Sequence, residues 1–230
     1  MDSILLFSGG KESIYQLHHK QNEIGKLLFF NYGQKGFSAE LKSLEYYSKL
    51  YGKEYQVIDL PFFILPPAIK DGIDCNPYVP QRNLVFISVA LSIAESTGYK
   101  KVYLGAVADA TEYDACPFFV DDINWALRFN DVSVKSFSRR YDTQQIIRSL
   151  VKNKVDISHL WSCDNPTGTD KFCGTCAKCT SALHNLRELY SDDKLVRKYY
   201  NLKYQPEQIT KFLNNEFGQE QSVCSRPEKG

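Results

Sequence analysis

Four cysteines lie close together in the stretch SCDNPTGTDKFCGTCAKC. They are Cys163, Cys173, Cys176 and Cys179, and the last three follow the pattern Cys-x-x-Cys-x-x-Cys. In a chain with seven cysteines, this pattern arises by chance on the order of once in a hundred sequences. Four thiolates so spaced can fill the coordination of one tetrahedral metal ion. The spacing predicts a structural zinc site; an iron–sulfur cluster is the main alternative, and disulfides come third.

A second candidate site lies near the start of the chain, in ILLFSGGKES, residues 4–13. An apolar run that ends in two glycines before a helical pattern predicts a buried strand that turns sharply into a helix. Gly9 and Gly10 let the backbone approach an anion, and the first helical turn offers unpaired N–H groups. Ser8 and Ser13 add hydroxyl donors. We predict a phosphate loop, with a tight turn that binds no ligand as the alternative; neither a Walker A loop nor a Gly-x-Gly-x-x-Gly fingerprint is present.

A scaffold for these sites follows from the pattern of residues 1–155. Short β-rich runs alternate with amphipathic stretches, which predicts an α/β fold: a Rossmann-like parallel sheet with helices on both faces. Ligands in such open sheets bind at the carboxyl edge of the strands. The predicted strands lie near 3–7, 27–31, 54–60, 101–107 and 132–137, and the predicted helices near 12–22, 38–51, 82–97, 118–129 and 143–152.

Residue types at several boundaries support these elements. Ser38 is predicted to cap the second helix, and Gly98 to end the third in a left-handed turn. Asp142 with Gln145 is predicted to form a capping box at the fifth. The third helix begins with LVFISVALSIA, which is nearly all apolar, so we expect it to pack in the interior.

The pattern changes after residue 155, where the cysteine-rich loop precedes a helical region. Further helices are predicted near 176–190, 192–200 and 205–216. We therefore predict three parts: a nucleotide-binding α/β domain (1–155), a helical zinc-binding region (156–217) and a polar, flexible tail (218–230).

Composition argues against some classes of protein. With 28 basic and 27 acidic residues the net charge is +1, which gives no general attraction to a nucleic acid. No run of about 18 apolar residues occurs, and MDSILLF is too short and too acidic for an export signal. We expect a cytoplasmic protein with no membrane partner, in a compartment that disfavours disulfides.

The phosphate loop resembles the Ser-Gly-Gly-x-Asp-Ser loop of PP-loop ATP pyrophosphatases, with Glu12 at the aspartate position. Over about residues 3–190 the chain resembles the QueC family of 7-cyano-7-deazaguanine synthases. NYGQKGFSAEL resembles the Tyr-Gly-Gln-x-x-x-x-x-Glu segment of that family, and YVPQRN its Val-Pro-Gly-Arg-Asn helix start. The matching residues are Tyr32, Gly33, Gln34, Glu40, Val79, Pro80, Arg82 and Asn83, with Gln81 replacing glycine, and the four cysteines match the family's zinc ligands.

The resemblance implies an enzyme that uses ATP and Mg²⁺ to activate the carboxylate of 7-carboxy-7-deazaguanine, which ammonia converts to an amide and a second activation to the nitrile. It also implies a homodimer and a structural Zn²⁺. Cofactor-binding residues are then Ser8, Gly9, Gly10, Ser13, Tyr32, Gly33 and Gln34; catalytic residues are Lys11, Glu12 and Arg82; substrate-binding residues are Arg82, Asn83, Tyr113, Cys116 and Phe118. Core packing is the competing interpretation for at least one of Phe118 and Phe119.

Four departures from the family pattern fall near the expected substrate. Ala115 and Pro117 stand at its aspartate and arginine positions, Thr143-Gln144-Gln145 replaces its Lys-Ala-Glu, and Glu12 is the fourth. They indicate a changed acceptor or a lost second step. One alternative is therefore a ligase that joins the 7-deazaguanine acid to a partner's N-terminal amine, as is thought for QueC-like proteins of anti-phage operons, including type IV CBASS.

Two further alternatives come from other classes of function. In a PP-loop tRNA-modifying enzyme, Cys75 or Cys116 would have to carry sulfur, and the near-neutral charge argues against tRNA binding. In a non-catalytic nucleotide-binding module, Glu12 would mark a decayed site. Cys75, Cys116 and Cys224 are isolated in the sequence, and such residues are more often buried than nucleophilic.

Overall fold

The computed structural model describes residues 1–60, 69–70, 73–74, 79–110, 112–168, 170–190 and 193–214. Cys75, Cys224 and the predicted tail 218–230 lie outside these ranges. The strands are β1 (Ser3–Leu6), β2 (Ile24–Asn31), β3 (Glu54–Asp59), β4 (Ile69–Lys70), β5 (Ile73–Asp74), β6 (Lys101–Tyr103) and β7 (Ser133–Lys135). The helices are α1 (Lys11–Lys20), α2 (Phe37–Tyr51), α3 (Arg82–Thr97), α4 (Pro117–Ala126), α5 (Thr143–Lys152), α6 (Ala177–Tyr190), α7 (Lys194–Lys203) and α8 (Pro206–Leu213).

Five strands form one parallel sheet in the order β3-β2-β1-β6-β7, which confirms the predicted α/β fold. Alternate side chains of the central strand enter two separate cores, as the two-residue period of a strand requires. Leu5 packs in the core of α1, α2 and α5, whereas Ile4 packs in the core of α3 and α4. The strand order reverses between β1 and β6, so a crevice opens at their carboxyl ends.

Several predicted boundaries are corrected by the structure. The strand expected at 101–107 ends at Tyr103, because the next residues turn out of the sheet: Ala106 N–H donates to the Leu104 carbonyl. The residue that caps α2 is Gly36, not Ser38. The segment from Trp161 to Cys179, which we call the cysteine loop, passes close to this point. A Cβ at Gly36 would lie 3.1 Å from Trp161 Nε1, so α2 requires glycine at its start.

The ends of α3 and α5 confirm two of the predicted caps, but the burial of α3 differs from the prediction. Gly98 ends α3 with φ +82°, and Asp142 forms a capping box with Gln145 at the start of α5. The third helix is not interior: only one side is buried, and Leu84 is exposed on the other. Since α3 covers one face of the sheet, its outer side meets solvent, although Val85, Val89, Leu91 and Ile93 still pack partly buried against the core.

The helical C-terminal region packs against the sheet domain in one continuous core. Phe172 is fully buried there, with ring centroids 4.8 Å from Trp161 and 5.1 Å from Tyr204. Leu5 of β1 and Tyr47 of α2 belong to the same cluster. The cysteine loop is therefore held against the carboxyl edge of the sheet. Every helix in the described ranges is too short or too polar to cross a lipid bilayer.

Candidate active site

The turn from β1 into α1 requires glycine at its first position. Gly9 has φ +77°, in the left-handed region, and a Cβ there would lie 2.9 Å from Ser43 Oγ on α2. Its carbonyl accepts a hydrogen bond from Trp161 N–H at 2.9 Å. Both the backbone conformation and the close neighbour exclude a side chain. The cysteine loop thus holds the predicted phosphate loop through its main chain.

Gly10 is the N-cap residue of α1, and it carries no side chain between Ser8 and Glu12. A Cβ at Gly10 would lie 3.3 Å from Ser8 Oγ and 3.4 Å from Glu12 Oε2. Because glycine provides no capping side chain, the N–H groups of the first turn remain available to an anion. The Ser13 hydroxyl donates to the Gly10 carbonyl at 2.9 Å, so in this structure the hydroxyl stabilises the turn.

Glu12 places this loop beside the crevice between β1 and β6. A Cβ at Gly105, just after β6, would lie 2.9 Å from the Cβ of Glu12, so the two segments meet at van der Waals distance. The carboxylate of Glu12 forms an ion pair with Lys11 at 2.7 Å. The expected catalytic helpers are therefore paired with each other at the carboxyl edge of the sheet.

The segment after β2 is stabilised by Gln34. Its amide donates to the Phe30 carbonyl at 3.0 Å and to Glu40 Oε2 at 2.9 Å, and its oxygen accepts from Tyr32 N–H. Gly33 has φ +84°, which explains the glycine at this tight turn. Burial raises the pKa of Glu40, and the hydrogen bond from Gln34 opposes that shift.

Arg82 begins α3 and meets this segment from the other face of the sheet. Its guanidinium donates to the Tyr32 hydroxyl at 2.8 Å, and among the described residues this is its one hydrogen bond. Burial acts to lower the pKa of Arg82, but Tyr32, Asp164 and Glu40 together raise it. Gln81, which precedes it, has φ +57°, the region for which glycine is suited. The arginine is a fixed cation at the crevice.

Asp114 is a functional candidate that sequence reasoning missed. Its buried carboxylate accepts from Asn83 N–H at 3.0 Å, and its carbonyl accepts from the Asn83 amide at 2.9 Å. This carboxylate stands one residue before Ala115, the position compared with the family's aspartate. It thereby connects the segment after β6 to the first turn of α3. A one-residue displacement of this kind gives no signal in the sequence.

The remaining predicted substrate residues lie along the start of α4. Tyr113 donates its hydroxyl to Asp122, and Cys116 is the half-buried N-cap residue. Phe119 is buried in the core, whereas Phe118 is 74% exposed on the outer side of the helix. The structure therefore brings Tyr113 and Cys116 beside Asp114, while the ring of Phe118 faces solvent.

Two residues of the departure Thr143-Gln144-Gln145 have a structural role at the start of α5. Gln145 completes the capping box with Asp142. Thr143 N–H donates to both carboxylate oxygens of Asp109 at 3.1 Å. Asp109 lies on the segment after β6, so these contacts fasten α5 to that edge of the sheet.

The four predicted metal ligands meet in space. The sulfur atoms of Cys163, Cys173, Cys176 and Cys179 all lie within 4.8 Å of one another. The Cys173 sulfur lies 3.6 Å from that of Cys163 and 3.9 Å from that of Cys179. Tetrahedral zinc with bonds of about 2.3 Å separates its sulfurs by about 3.8 Å. The cluster has the donor set and the size for one such ion.

Hydrogen bonds to the sulfur of Cys173 stabilise its thiolate form. The N–H groups of Thr175 and Cys176 donate to it at 3.4 and 3.2 Å. Neighbouring thiols that hydrogen-bond to this sulfur, Cys163 first, lower the pKa of Cys173 well below its ordinary value. The same contacts raise the pKa values of Cys163 and Cys179. A thiolate is the form that binds metal, so Cys173 is the ligand that the loop holds ready, and the others lose their protons when an ion binds.

The cysteine loop also forms one wall of the candidate site. Trp161 Nε1 donates to the Cys163 carbonyl at 2.9 Å, and Lys35, after β2, donates to Asn165 at 2.9 Å. Lys178 donates to Asp164 at 2.7 Å. Neither member of this last pair was predicted from sequence; the available signal was a lysine in the first turn of a helix, where the helix dipole disfavours a cation.

Taken together, a Rossmann-like parallel sheet, a glycine turn from β1 into α1 and a four-thiol cluster define an α/β protein with a candidate metal centre. The profile of the family described as "Queuosine biosynthesis protein QueC" matches residues 2–189. The chain belongs to this family. Membership makes it an ATP-dependent, ligase-type enzyme.

Curated relatives cover most of the chain. It is 31% identical to the 7-cyano-7-deazaguanine synthase of Carboxydothermus hydrogenoformans over 204 residues, 77% of this chain and 94% of that protein. It is 29% identical to 7-cyano-7-deazaguanine synthase 1 of Colwellia psychrerythraea, over 84% of this chain and 96% of that protein. A solved structure of a predicted tRNA methyltransferase subunit from Methanocaldococcus jannaschii has a TM-score of 0.45 at 18% identity, covering 90% of this chain and 92% of that chain.

The buried position of Glu40 predicts a pH-dependent stability. Its pKa in the folded protein lies above the ordinary value of 4.5, so the folded state holds more protons than the unfolded state above that pH. The free energy of unfolding therefore falls as pH rises through this window. Glu40→Gln keeps the shape without the charge, and should unfold at a higher temperature than the natural protein at about pH 7.5.

That advantage should shrink as the pH is lowered toward the ordinary glutamate value of 4.5, because the natural Glu40 gains its proton before that pH is reached. Melting curves across this range measure it. Glu45→Gln, at an exposed position on the same helix, is the matched control and should show no such pH-dependent difference. A Glu40→Gln advantage that stays constant with pH would contradict the assignment.

Proposed function

We propose that this protein adenylates the carboxylate of 7-carboxy-7-deazaguanine with ATP and then transfers the acyl group to an amine. The observation that carries the proposal is the phosphate loop at the carboxyl edge of β1, retained in a chain that matches the QueC family over residues 2–189. A carboxylate is a poor electrophile, and adenylation turns one of its oxygens into a leaving group. The curated relatives carry the name of the nitrile-forming synthase.

The proposed reaction consumes one ATP to activate the acid and a second to activate the amide. A carboxylate oxygen attacks the α-phosphorus of ATP and releases pyrophosphate. Ammonia attacks the carbonyl carbon of the acyl adenylate and releases AMP and a proton, which leaves an amide. The amide oxygen attacks the α-phosphorus of a second ATP, again releasing pyrophosphate, and loss of AMP and of both amide protons gives the nitrile. No side-chain nucleophile is needed, so the chain has to bind, orient and stabilise charge.

Residue roles follow from position. Ser8, Gly9, Gly10 and the first turn of α1 would hold the phosphates. Glu12 would bind Mg²⁺ once released from Lys11, and that ion would neutralise charge on the departing pyrophosphate. Arg82 would hold an anionic group of the substrate. The segment after β2, Tyr32 to Gln34, would contact the nucleotide, while Asn83, Tyr113 and Cys116 would contact the deazaguanine. The predicted role of Phe118 is not proposed, because its ring is 74% exposed.

The four cysteines would hold one structural Zn²⁺, because a site filled by four thiolates has no open position for substrate. Ammonia is the proposed amine. We further propose that the enzyme is cytoplasmic and a homodimer.

Mass spectrometry of a reaction with ATP, Mg²⁺, 7-carboxy-7-deazaguanine and ammonia tests the function. The expected result is AMP together with the nitrile. AMP with the amide alone would show that adenylation and the ammonia acceptor are correct and that the second activation is lost. AMP with the acid attached to the N-terminal amine of an added protein would show that adenylation is correct and the acceptor wrong. Absence of substrate-dependent AMP would overturn the proposal. The gel-filtration volume of the same preparation tests the dimer.

A further inference from the structure

Two cations from different parts of the chain converge on the crevice. Arg82 comes from the start of α3, and Lys178 from the first turn of α6, inside the cysteine loop. The cysteine loop meets Glu40 at Gly36, where an added Cβ would lie 3.2 Å from the carbonyl of Cys163, the residue before Asp164, and 3.4 Å from Glu40 Oε1. The charges of Arg82 and Lys178 interact with each other and with those of Asp164 and Glu40, and the carboxylate of Asp114 also acts on Arg82. Groups about 100 residues apart in sequence thus form one charged cluster, which we call the crevice cluster: Glu40, Arg82, Asp164 and Lys178.

The cluster is arranged to bind a ligand rather than to neutralise itself. Arg82 uses one N–H group on the Tyr32 hydroxyl, and no carboxylate of the described residues lies within ion-pair distance of it. Lys178 is anchored by Asp164 at 2.7 Å, yet its side chain is 50% exposed. The Glu40 carboxylate accepts a hydrogen bond from the Gln34 amide at 2.9 Å, so it is held by an amide and not by either cation. Unused donors of both cations therefore remain for an anion that enters from solvent.

The neighbouring phosphate loop argues for a carboxylate rather than a phosphate at this position. Phosphates have their own site at Gly10 and the first turn of α1, whose contacts are with Ser8, Glu12 and the main chain of the cysteine loop. Arginine presents a planar pair of donors that matches a carboxylate, and lysine adds a point charge.

We propose that Lys178, held by Asp164 and acting together with Arg82, binds the carboxylate of the acid substrate before its adenylation. The assignment rests on the proposed function. Because Asp164 follows Cys163 and Lys178 precedes Cys179, the four-cysteine site fixes the backbone on both sides of the pair. The metal centre thereby has a second role beyond stability: it presents a substrate-binding cation to the crevice.

Equilibrium binding by calorimetry tests Lys178, with ATP present in a non-hydrolysable form. Two ligands are compared: 7-carboxy-7-deazaguanine and its neutral carboxamide. Lys178→Met should weaken binding of the acid roughly 10- to 100-fold, the range for a charge-assisted hydrogen bond, and binding of the carboxamide less than about threefold. Lys178→Arg should restore most of the acid affinity. Metal content should be unchanged in both variants.

Lys42→Met is the matched control, because Lys42 forms an ion pair with Asp170 of the same loop at 2.9 Å without belonging to the crevice cluster. It should leave both affinities unchanged. Equal weakening of acid and carboxamide by Lys178→Met, or no weakening of the acid, would overturn the inference. So would a loss of nucleotide affinity alone, which would place Lys178 on a phosphate. If the natural protein binds neither ligand, the proposed function fails as well.

Discussion

Gly10→Ala should reduce substrate-dependent AMP release on the order of a hundredfold, the effect of displacing a reacting group by about 1 Å, while the protein stays folded. A Cβ at this position would lie 3.3 Å from Ser8 Oγ and 3.4 Å from Glu12 Oε2. Those side-chain ends can move aside, and the φ of −79° suits any residue. The methyl group would therefore lie between Ser8 and Glu12, where the phosphates of ATP are proposed to bind.

Gly98→Ala is the control for this experiment, because it should change stability without changing AMP release. Gly98 has φ +82° at the end of α3, with open space around its Cα, and it lies at the opposite end of that helix from Arg82. Alanine there should cost about 1 kcal/mol of stability through backbone strain and leave AMP release intact. Steady-state AMP formation and thermal unfolding of both variants are the measurements. If Gly10→Ala released AMP at the rate of the natural protein, the predicted phosphate loop would have no role in the reaction.

Cys173→Ser should abolish stoichiometric metal binding and lower the unfolding midpoint by roughly 10 °C. Loss of a structural metal is among the few single changes that cost several kcal/mol, and each kcal/mol corresponds to about 2–4 °C in a chain of this size. The Cys173 sulfur lies 3.6 Å and 3.9 Å from two other sulfurs of the cluster, so the substitution removes one of the four predicted metal ligands. Metal analysis and calorimetry measure both effects.

Cys116→Ser is the control, since Cys116 is half-buried outside the cluster; it should retain full metal and melt within about 2 °C of the natural protein. Metal analysis should find one zinc per chain. The visible absorption of an iron–sulfur cluster in protein purified without oxygen would contradict zinc. Unchanged stability after metal removal would contradict a structural role. Because Trp161 of the same loop donates to Gly9, metal loss should also weaken ATP binding.

Short-range features of the site could be predicted from sequence because each depends on neighbouring residues. Gly9 and Gly10 predict the turn from strand to helix, since backbone freedom there is a property of glycine itself. The spacing of Cys173, Cys176 and Cys179 predicts the thiol cluster, since two intervening residues bring sulfurs within reach of one ion. The capping box of Asp142 spans only four residues and was equally accessible.

Where the sequence prediction was wrong, a distant segment decided the outcome. Ser38 is a good capping residue, but α2 begins after Gly36 because Trp161 of the cysteine loop crosses at that point. The strand predicted to 107 stops at Tyr103, since Gly105 lies against Glu12. Local propensity carries no information about a neighbour that arrives from another part of the chain.

The sequence by itself determined the α/β class, the phosphate-loop turn and the four thiols, because periodicity, glycine and cysteine spacing act over one turn or one strand. The tertiary structure alone decided which charges meet. Glu40, Arg82 and Lys178 share one crevice only because the cysteine loop packs across the carboxyl edge of the sheet. Lys35 and Asn165, which bond across 130 residues, show the reason: such contacts depend on how separate elements pack, and no local pattern encodes them.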